Sequence, residues 1–143
     1  MNIIIPGCGR YGSLLANRLS SFGHSLVIID RQENAFKALS TEFSGFTITG
    51  NAGEVSVLRT AKIETADCLL SMCNEDTLNL MVTQVAKYIF GVPKVIARVY
   101  EPSYESIFRK FGIEIISPIQ LALEAFLQTL DLDTEPGIEA QSR

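Results

Sequence analysis

The sequence predicts an α/β fold: a doubly wound parallel sheet of six strands in the order 3-2-1-4-5-6. Three observations predict it. Short apolar runs alternate with helical patterns along nearly the whole chain. Glycine and proline break those patterns at the expected element ends. A Gly-x-Gly-x-x-Gly stretch follows the first apolar run and opens the first helix, which makes the sheet Rossmann-type. Strands alternating with helices need both sheet faces covered, with right-handed crossovers between them. In that order, a ligand crevice opens at the carboxyl ends of strands one and four.

Ile3 to Ile5 reads as the first, buried strand. A helix follows from Arg10 to Phe22, with Leu14, Leu15, Leu19 and Phe22 at helical spacing, and Gly23 stops it. Leu26 to Ile29 is the second strand. Asn34 to Phe43 reads as a helix with Phe36, Leu39 and Phe43 on one face. Phe46 to Ile48 is a short third strand, and Glu54 to Ala61 a short helix. The alternation then repeats. Cys68 to Met72 is a strand, and Asp76 to Phe90 a helix with Leu78, Met81, Val82, Val85 and Ile89 in register. Gly91 and Pro93 break it. Lys94 to Val99 is a strand, Pro102 to Phe111 a helix, and Glu114 to Ile116 the last strand. Pro118 suits the first turn of a final helix reaching about Leu130. Residues 131–143 carry four acids against Arg143, around Pro136-Gly137, and read as an acidic linker or disordered tail after a single domain of residues 1–130.

The bulk numbers narrow the function classes. A chain of 143 residues with 47% hydrophobic and 20% charged residues has ordinary globular composition. A net charge of -4 argues against nucleic acid as partner. Cys8, Cys68 and Cys73 are an odd number without CxxC spacing, which reads as reduced thiols in a cytoplasmic protein. The single histidine, His24, argues against a zinc site. No apolar run approaches the roughly 20 residues of a membrane span, and no basic segment precedes the first strand as in a secretory signal.

The chemistry concentrates in Gly7-Cys8-Gly9-Arg10-Tyr11-Gly12. Gly7 permits the tight turn out of the strand, Gly9 lets a phosphate approach bare backbone, and Gly12 lets the helix pack on the sheet. The helix start offers free N–H donors and the positive end of its dipole. Asp30, at the end of the second strand, stands where a carboxylate accepts hydrogen bonds from ribose hydroxyls and repels a 2′-phosphate. That favours NAD(H), ATP, ADP or AMP over NADP. Arg10 is either a solvated first-turn residue or a phosphate partner. Arg31 either stacks on adenine or lies at the surface. Two further loops face the expected crevice: Gly50-Asn51-Ala52 after strand three, and Ser71 to Asn74, including Cys73, after strand four. Asn51 and Asn74 are turn formers or ligand contacts. Arg98, in the fifth strand, needs a partner, either a phosphate or a carboxylate.

No catalytic set accompanies this site. There is no Tyr-x-x-x-Lys pair, and Glu75-Asp76 is explained by acids favouring the first turn of a helix. The nucleotide therefore reads as a signal, not a reactant. The alternatives are a small NAD-dependent oxidoreductase and a dimerisation module that binds no nucleotide. The final helix, with Ile119, Leu121, Leu123, Phe126, Leu127 and Leu130, is apolar on most sides and wants a second partner, best supplied by another subunit.

In Ile3 to Gly12, Val27-Ile28-Ile29-Asp30, Gly50-Asn51-Ala52, Asn74-Glu75-Asp76, Asn79, Gly91 to Val99, Phe111-Gly112-Ile113 and Ile116-Ser117-Pro118, the chain resembles the RCK/KTN (TrkA N-terminal) domain family over about residues 1 to 130. The resemblance implies a cytoplasmic regulatory subunit or domain of a potassium channel or a Trk/Ktr-type transporter, peripheral to the membrane through that partner. It also implies a homodimer built into larger rings, with the 118–130 helix crossing onto the partner subunit and a shape that responds to NAD(H), ATP or ADP. Arg10 would lie near the phosphates, Asp30 would hold the ribose, and Arg98 would lie near the ligand. Two positions depart from the family. Asn51 stands where Asp is common, and Ile119 where many members have a Glu that in some helps hold a divalent cation, so no metal site is expected. The family's usual C-terminal ligand domain lies outside these 143 residues.

Overall fold

A computed structural model describes residues 1–132 of the chain. Its elements run β1 (Asn2–Pro6), α1 (Arg10–Ser21), β2 (Ser25–Asp30), β3 (Phe46–Thr49), α2 (Val55–Thr60), β4 (Cys68–Ser71), α3 (Asp76–Gln84), β5 (Lys94–Arg98), α4 (Glu105–Lys110), β6 (Glu114–Ile116) and α5 (Pro118–Thr129). The six strands form one sheet in the order β3-β2-β1-β4-β5-β6, and every pairing is parallel. This is the predicted topology. Of the expected acidic tail, all but Asp131 and Leu132 lies outside the described residues.

β1 sits at the centre because its residues are apolar on both faces. Ile4 joins Ile29 and Leu69 in a core closed by Leu58, Val82 and Ala86 from the helices on one side. Ile3 and Ile5 turn the other way, against Leu26, Ile28, Leu70 and Ala16 of α1. A smaller core of Ala97, Val99, Phe108 and Ile113 seats α4 against β5.

The structure departs from the sequence expectations in three helices, each for a local reason. The segment expected as a helix over 34–43 is a 3-10 helix at Glu33–Ala38, after which Leu39 turns to extended backbone. Asn17 of α1 holds this end: its amide donates to the Ala38 carbonyl at 3.4 Å and its Oδ1 accepts from the Ser40 N–H at 2.8 Å. Side chains that offer backbone groups a local partner end helices in this way. Phe36, Leu39 and Phe43 nevertheless reach the core beside α1. The long helix expected over 76–90 is α3 followed by a π-helical turn, Val85–Ile89. That turn buries Ala86 but leaves Tyr88 and Ile89 outward. The helix expected over 102–111 opens with a 3-10 turn before α4. Leu14, placed on the apolar side of α1 by spacing, is exposed, and Ala16 is buried instead.

α5 starts as predicted, with Pro118 in its first turn and the Ser117 hydroxyl accepting from the Gln120 N–H at 3.3 Å. None of its residues is buried.

Candidate functional site

The loops that leave β1 and β4 lie side by side. The Gly7 N–H donates to the Ile29 carbonyl at 2.7 Å, and the Met72 N–H to the Pro6 carbonyl at 2.7 Å. The turn out of β1 is thereby pinned between its two neighbours, at the carboxyl ends of the strands, where open α/β sheets bind ligands. Gly7 has φ +99, and a Cβ there would sit 2.6 Å from the Met72 carbonyl carbon. Gly12 has no room for a side chain either: its Cβ would lie 1.9 Å from the Gly7 oxygen. Gly9 differs. The nearest atom to a Cβ on it is the Asn74 Oδ1 at 3.6 Å, so the space above its backbone is open.

Gly9 is also the N-cap of α1. No side chain caps this helix end, and its first turn contains no acid. Its first N–H groups thus lack helical partners and carry the positive end of the dipole, an arrangement that binds anions. Beside it, the Asp30 carboxylate accepts from the Cys8 N–H at 2.9 Å through one oxygen and from the Gln32 N–H at 2.9 Å through the other. Each oxygen keeps a lone pair for a further donor. The carboxylate is therefore fixed in place and still able to take a ribose hydroxyl.

These groups border a cleft of about 360 Å³. Of the residues predicted from sequence, Gly7, Cys8, Gly9, Asp30, Arg31, Ala52, Cys73 and Asn74 line it. The remainder lie elsewhere. Gly12 is buried beneath the loop, and Arg10 and Tyr11 are exposed on α1. The Asn51 Oδ1 accepts from the Gly53 N–H at 2.9 Å, a turn-forming role. Ser71 is fully buried, and its hydroxyl donates to the Asn79 Oδ1 at 2.7 Å, so it supports the loop from below and does not face the cleft.

Sequence reasoning left Asn79 without a role. It is fully buried, and besides Ser71 its side chain accepts from the Cys73 N–H at 3.0 Å and donates to the carbonyls of Cys73 at 2.9 Å and Arg98 at 3.1 Å. One amide thus ties the β4 loop to the end of β5. Asp76 is buried too, and its two oxygens accept from the Tyr100 and Glu101 N–H groups at 2.7 and 2.8 Å. The signal for both was a polar residue on the inward side of an amphipathic helix. Glu75, Leu78 and Gln32 also line the cleft, and no spacing rule marked them as cleft residues.

Arg98 is only 7% exposed. Its guanidinium donates to the Cys73 carbonyl at 3.0 Å and reaches the Asn74 Oδ1 at 3.5 Å. Its Cζ lies 5.1 Å from the centroid of the Tyr11 ring, a cation–π contact. Its Nε is buried without a partner, and among the described residues no carboxylate pairs with it. A buried cation in this state favours an anion nearby. The open backbone at Gly9, the uncapped helix end, the held carboxylate and the unpaired cation together fit a phosphate joined to a sugar.

The two cleft thiols point away from covalent chemistry. Burial, and then the charge of Asp30, push Cys8 up to about 11. Burial pushes Cys73 up to about 11 as well, again with Asp30 as the next cause. Both stay protonated at neutral pH and are poor nucleophiles. A larger, mainly apolar recess of about 580 Å³ opens at the opposite ends of the strands, beside Val27, Phe46, Ile48 and Lys62. It lacks the glycine loop, the open helix end and the converging polar groups.

Comparison with known proteins identifies relatives of this chain and structures that share its fold. The family model described as the TrkA-N domain matches residues 3–118. The chain is 35% identical over 130 residues to the Trk system potassium uptake protein TrkA of Streptomyces coelicolor, covering 91% of this chain and 58% of that protein. It therefore spans less than two thirds of the length of that relative. Among solved structures, the TrkA-N domain of the inner membrane protein ybaL from Escherichia coli superposes with a TM-score of 0.81 at 21% identity, over 90% of this chain and 96% of that one. The GsuK channel bound to NAD superposes with a TM-score of 0.73 at 20% identity, over 88% of this chain and 23% of that one.

Proposed function

The chain belongs to the TrkA-N domain family, and on that premise we propose that it is a nucleotide-binding regulatory domain of a potassium uptake system. The observation that carries the proposal is the uncapped amino terminus of α1 over Gly9, beside a carboxylate held by two backbone donors. A diphosphate lies along Gly9 and the first N–H groups of α1, Asp30 takes the hydroxyls of the adenosine ribose, and the adenine extends toward Ala52 at the end of β3. Arg98 supplies a positive field from beneath the Cys73-Asn74 loop, and Arg10 and Arg31 flank the entrance. The ligand class is NAD(H), ADP, ATP or AMP. The GsuK structure with NAD and the relative named for potassium uptake support the assignment.

The nucleotide acts as a signal. Binding shifts the balance between two shapes only so far as it favours one of them. The elements placed to transmit such a shift are the β4 loop, tied through Asn79 to β5, and α5, whose apolar surface pairs with a second copy. A membrane-embedded potassium transporter or channel subunit reads the dimer's shape, which places the domain at the cytoplasmic face. No helix among the described residues is long and apolar enough to cross a membrane.

Titration calorimetry with NAD, NADH, ATP, ADP and AMP tests the reading directly. Asp30→Ala is expected to weaken every adenosine ligand together, by roughly tenfold to a hundredfold for one charge-assisted contact. Unchanged affinities would remove the ribose assignment. Reduction or oxidation of a nicotinamide cofactor with any small substrate would favour an oxidoreductase instead.

A further inference from the structure

Two helix ends face the cleft, and they are dressed oppositely. At α1 the cap is Gly9 and the first turn contains no acid. At α3 the cap position is Glu75 and the first turn begins with Asp76. Asp76 is used inward, on the Tyr100 and Glu101 N–H groups. Glu75 makes no capping hydrogen bond, is exposed and lines the cleft. A glutamate is a poor choice for a helix cap, where Ser, Thr, Asp and Asn serve best. Its carboxylate is therefore free to act on whatever enters.

The order of the strands fixes what it meets. A ligand crossing the carboxyl ends passes from β3 (Ala52) to β2 (Asp30), over the β1 turn (Gly9), and then to the β4 loop (Cys73, Asn74, Glu75). Adenosine occupies the first two stations and the diphosphate the third. The fourth holds whatever lies beyond the second phosphate. Arg98 does not line the cleft there; it lies behind the loop, on the Cys73 carbonyl.

We propose that Glu75 makes this cleft select a dinucleotide, whose diphosphate continues into a second hydroxyl-bearing sugar, over a nucleoside triphosphate. A second ribose offers hydroxyl donors to the carboxylate, as the first does to Asp30. A third phosphate brings a like charge to it, at a helix end whose favourable field already has an acid in it. The proposal rests on the nucleotide reading of the same cleft and adds the ranking that the adenosine half alone cannot supply.

The test is calorimetry of NAD, ADP and ATP in EDTA against the wild-type chain and Glu75→Gln, with thermal melting to confirm folding. The wild type is expected to bind NAD more tightly than ATP by roughly tenfold, the scale of one like-charge contact near solvent. Glu75→Gln should bring ATP to within about threefold of ADP and weaken NAD, while ADP changes little. Glu75→Asp, which keeps the charge, should keep ATP weak. ATP binding as tightly as NAD in the wild type, or an ATP-to-NAD ratio unchanged in Glu75→Gln, overturns the proposal and leaves the nucleotide reading standing. Absence of binding by all three nucleotides to the folded wild type overturns both.

Discussion

Single residues carry the sharpest consequences, and the three loop glycines separate cleanly. Gly7 combines a positive φ with a blocked Cβ, and Gly12 lies against the Gly7 oxygen. Gly7→Ala and Gly12→Ala should each cost about 2–4 kcal/mol in chemical denaturation, since strain and overlap with backbone cannot relax through a side chain. Gly9→Ala should leave the unfolding free energy within about 1 kcal/mol of wild type, because its Cβ meets nothing closer than 3.6 Å. It should still weaken adenine nucleotides, because the methyl group stands where the proposed diphosphate would approach the backbone. Equal stability losses at Gly7 and Gly9 would contradict that division. The cleft thiols make a pH prediction. Cys8 and Cys73 rise from 9.0 to about 11 in the folded chain. Above pH 9 the unfolded chain loses these protons while the folded chain keeps them. The thiols' contribution to stability is therefore complete below about pH 9 and lost as the pH climbs through 11. Urea midpoints should fall over this interval, and fall less in Cys73→Ser. A midpoint independent of pH in that range would refute the assignment.

At the scale of elements, Asn79 shows how α3, β4 and β5 are made to act together. It satisfies donors and acceptors on three segments from a fully buried position. Asn79→Ala should cost about 3 kcal/mol, because it leaves several buried groups without partners. It should also loosen nucleotide binding through the Cys73 loop, though Asn79 does not line the cleft. Hydrogen exchange at Cys73 would report the loosening, and unchanged protection there would count against the coupling. Much of this architecture was legible in the chain itself. The apolar triplet Ile3 to Ile5, the glycine loop and Asp30 lie close together in sequence and encode their own geometry. The 3-10 segment after β2 was not legible, because its terminator is Asn17, on another element. Ser71 looked like a cleft residue by its place at a strand end, but the pleat turns it inward to Asn79. Arg98 was recognisable as a buried charge in need of a partner. Its contact with the Tyr11 ring joins β5 to α1 across the sheet, and no local pattern announces a pairing at that separation.

The whole molecule poses one remaining physical problem, which is α5. Leu121, Leu123, Phe126 and Leu130 are 52–67% exposed, and no residue of the helix is buried. Ile116, at the β6 edge of the sheet, is exposed too and lines the same shallow groove as Leu121. An exposed apolar helix face of this kind fits an interface, and in the proposed dimer a second copy presenting the same helix would satisfy both chains through one two-fold contact. Replacing Leu123 and Phe126 with lysine removes no buried contact within the chain, so each domain should keep its own melting behaviour once separated. The expected result in sedimentation equilibrium is a dimer for the wild type and a monomer for the double variant. The same variant distinguishes two routes by which nucleotide reaches a partner. If the signal is a change in dimer shape, the monomer should still bind nucleotide with nearly wild-type affinity, since Gly9, Asp30, Cys73 and Asn74 of a single chain already line the cleft, and should fail to regulate potassium flux in reconstituted vesicles. Full regulation by a demonstrated monomer would mean that the membrane partner reads the cleft loops themselves, and α5 would then need another explanation.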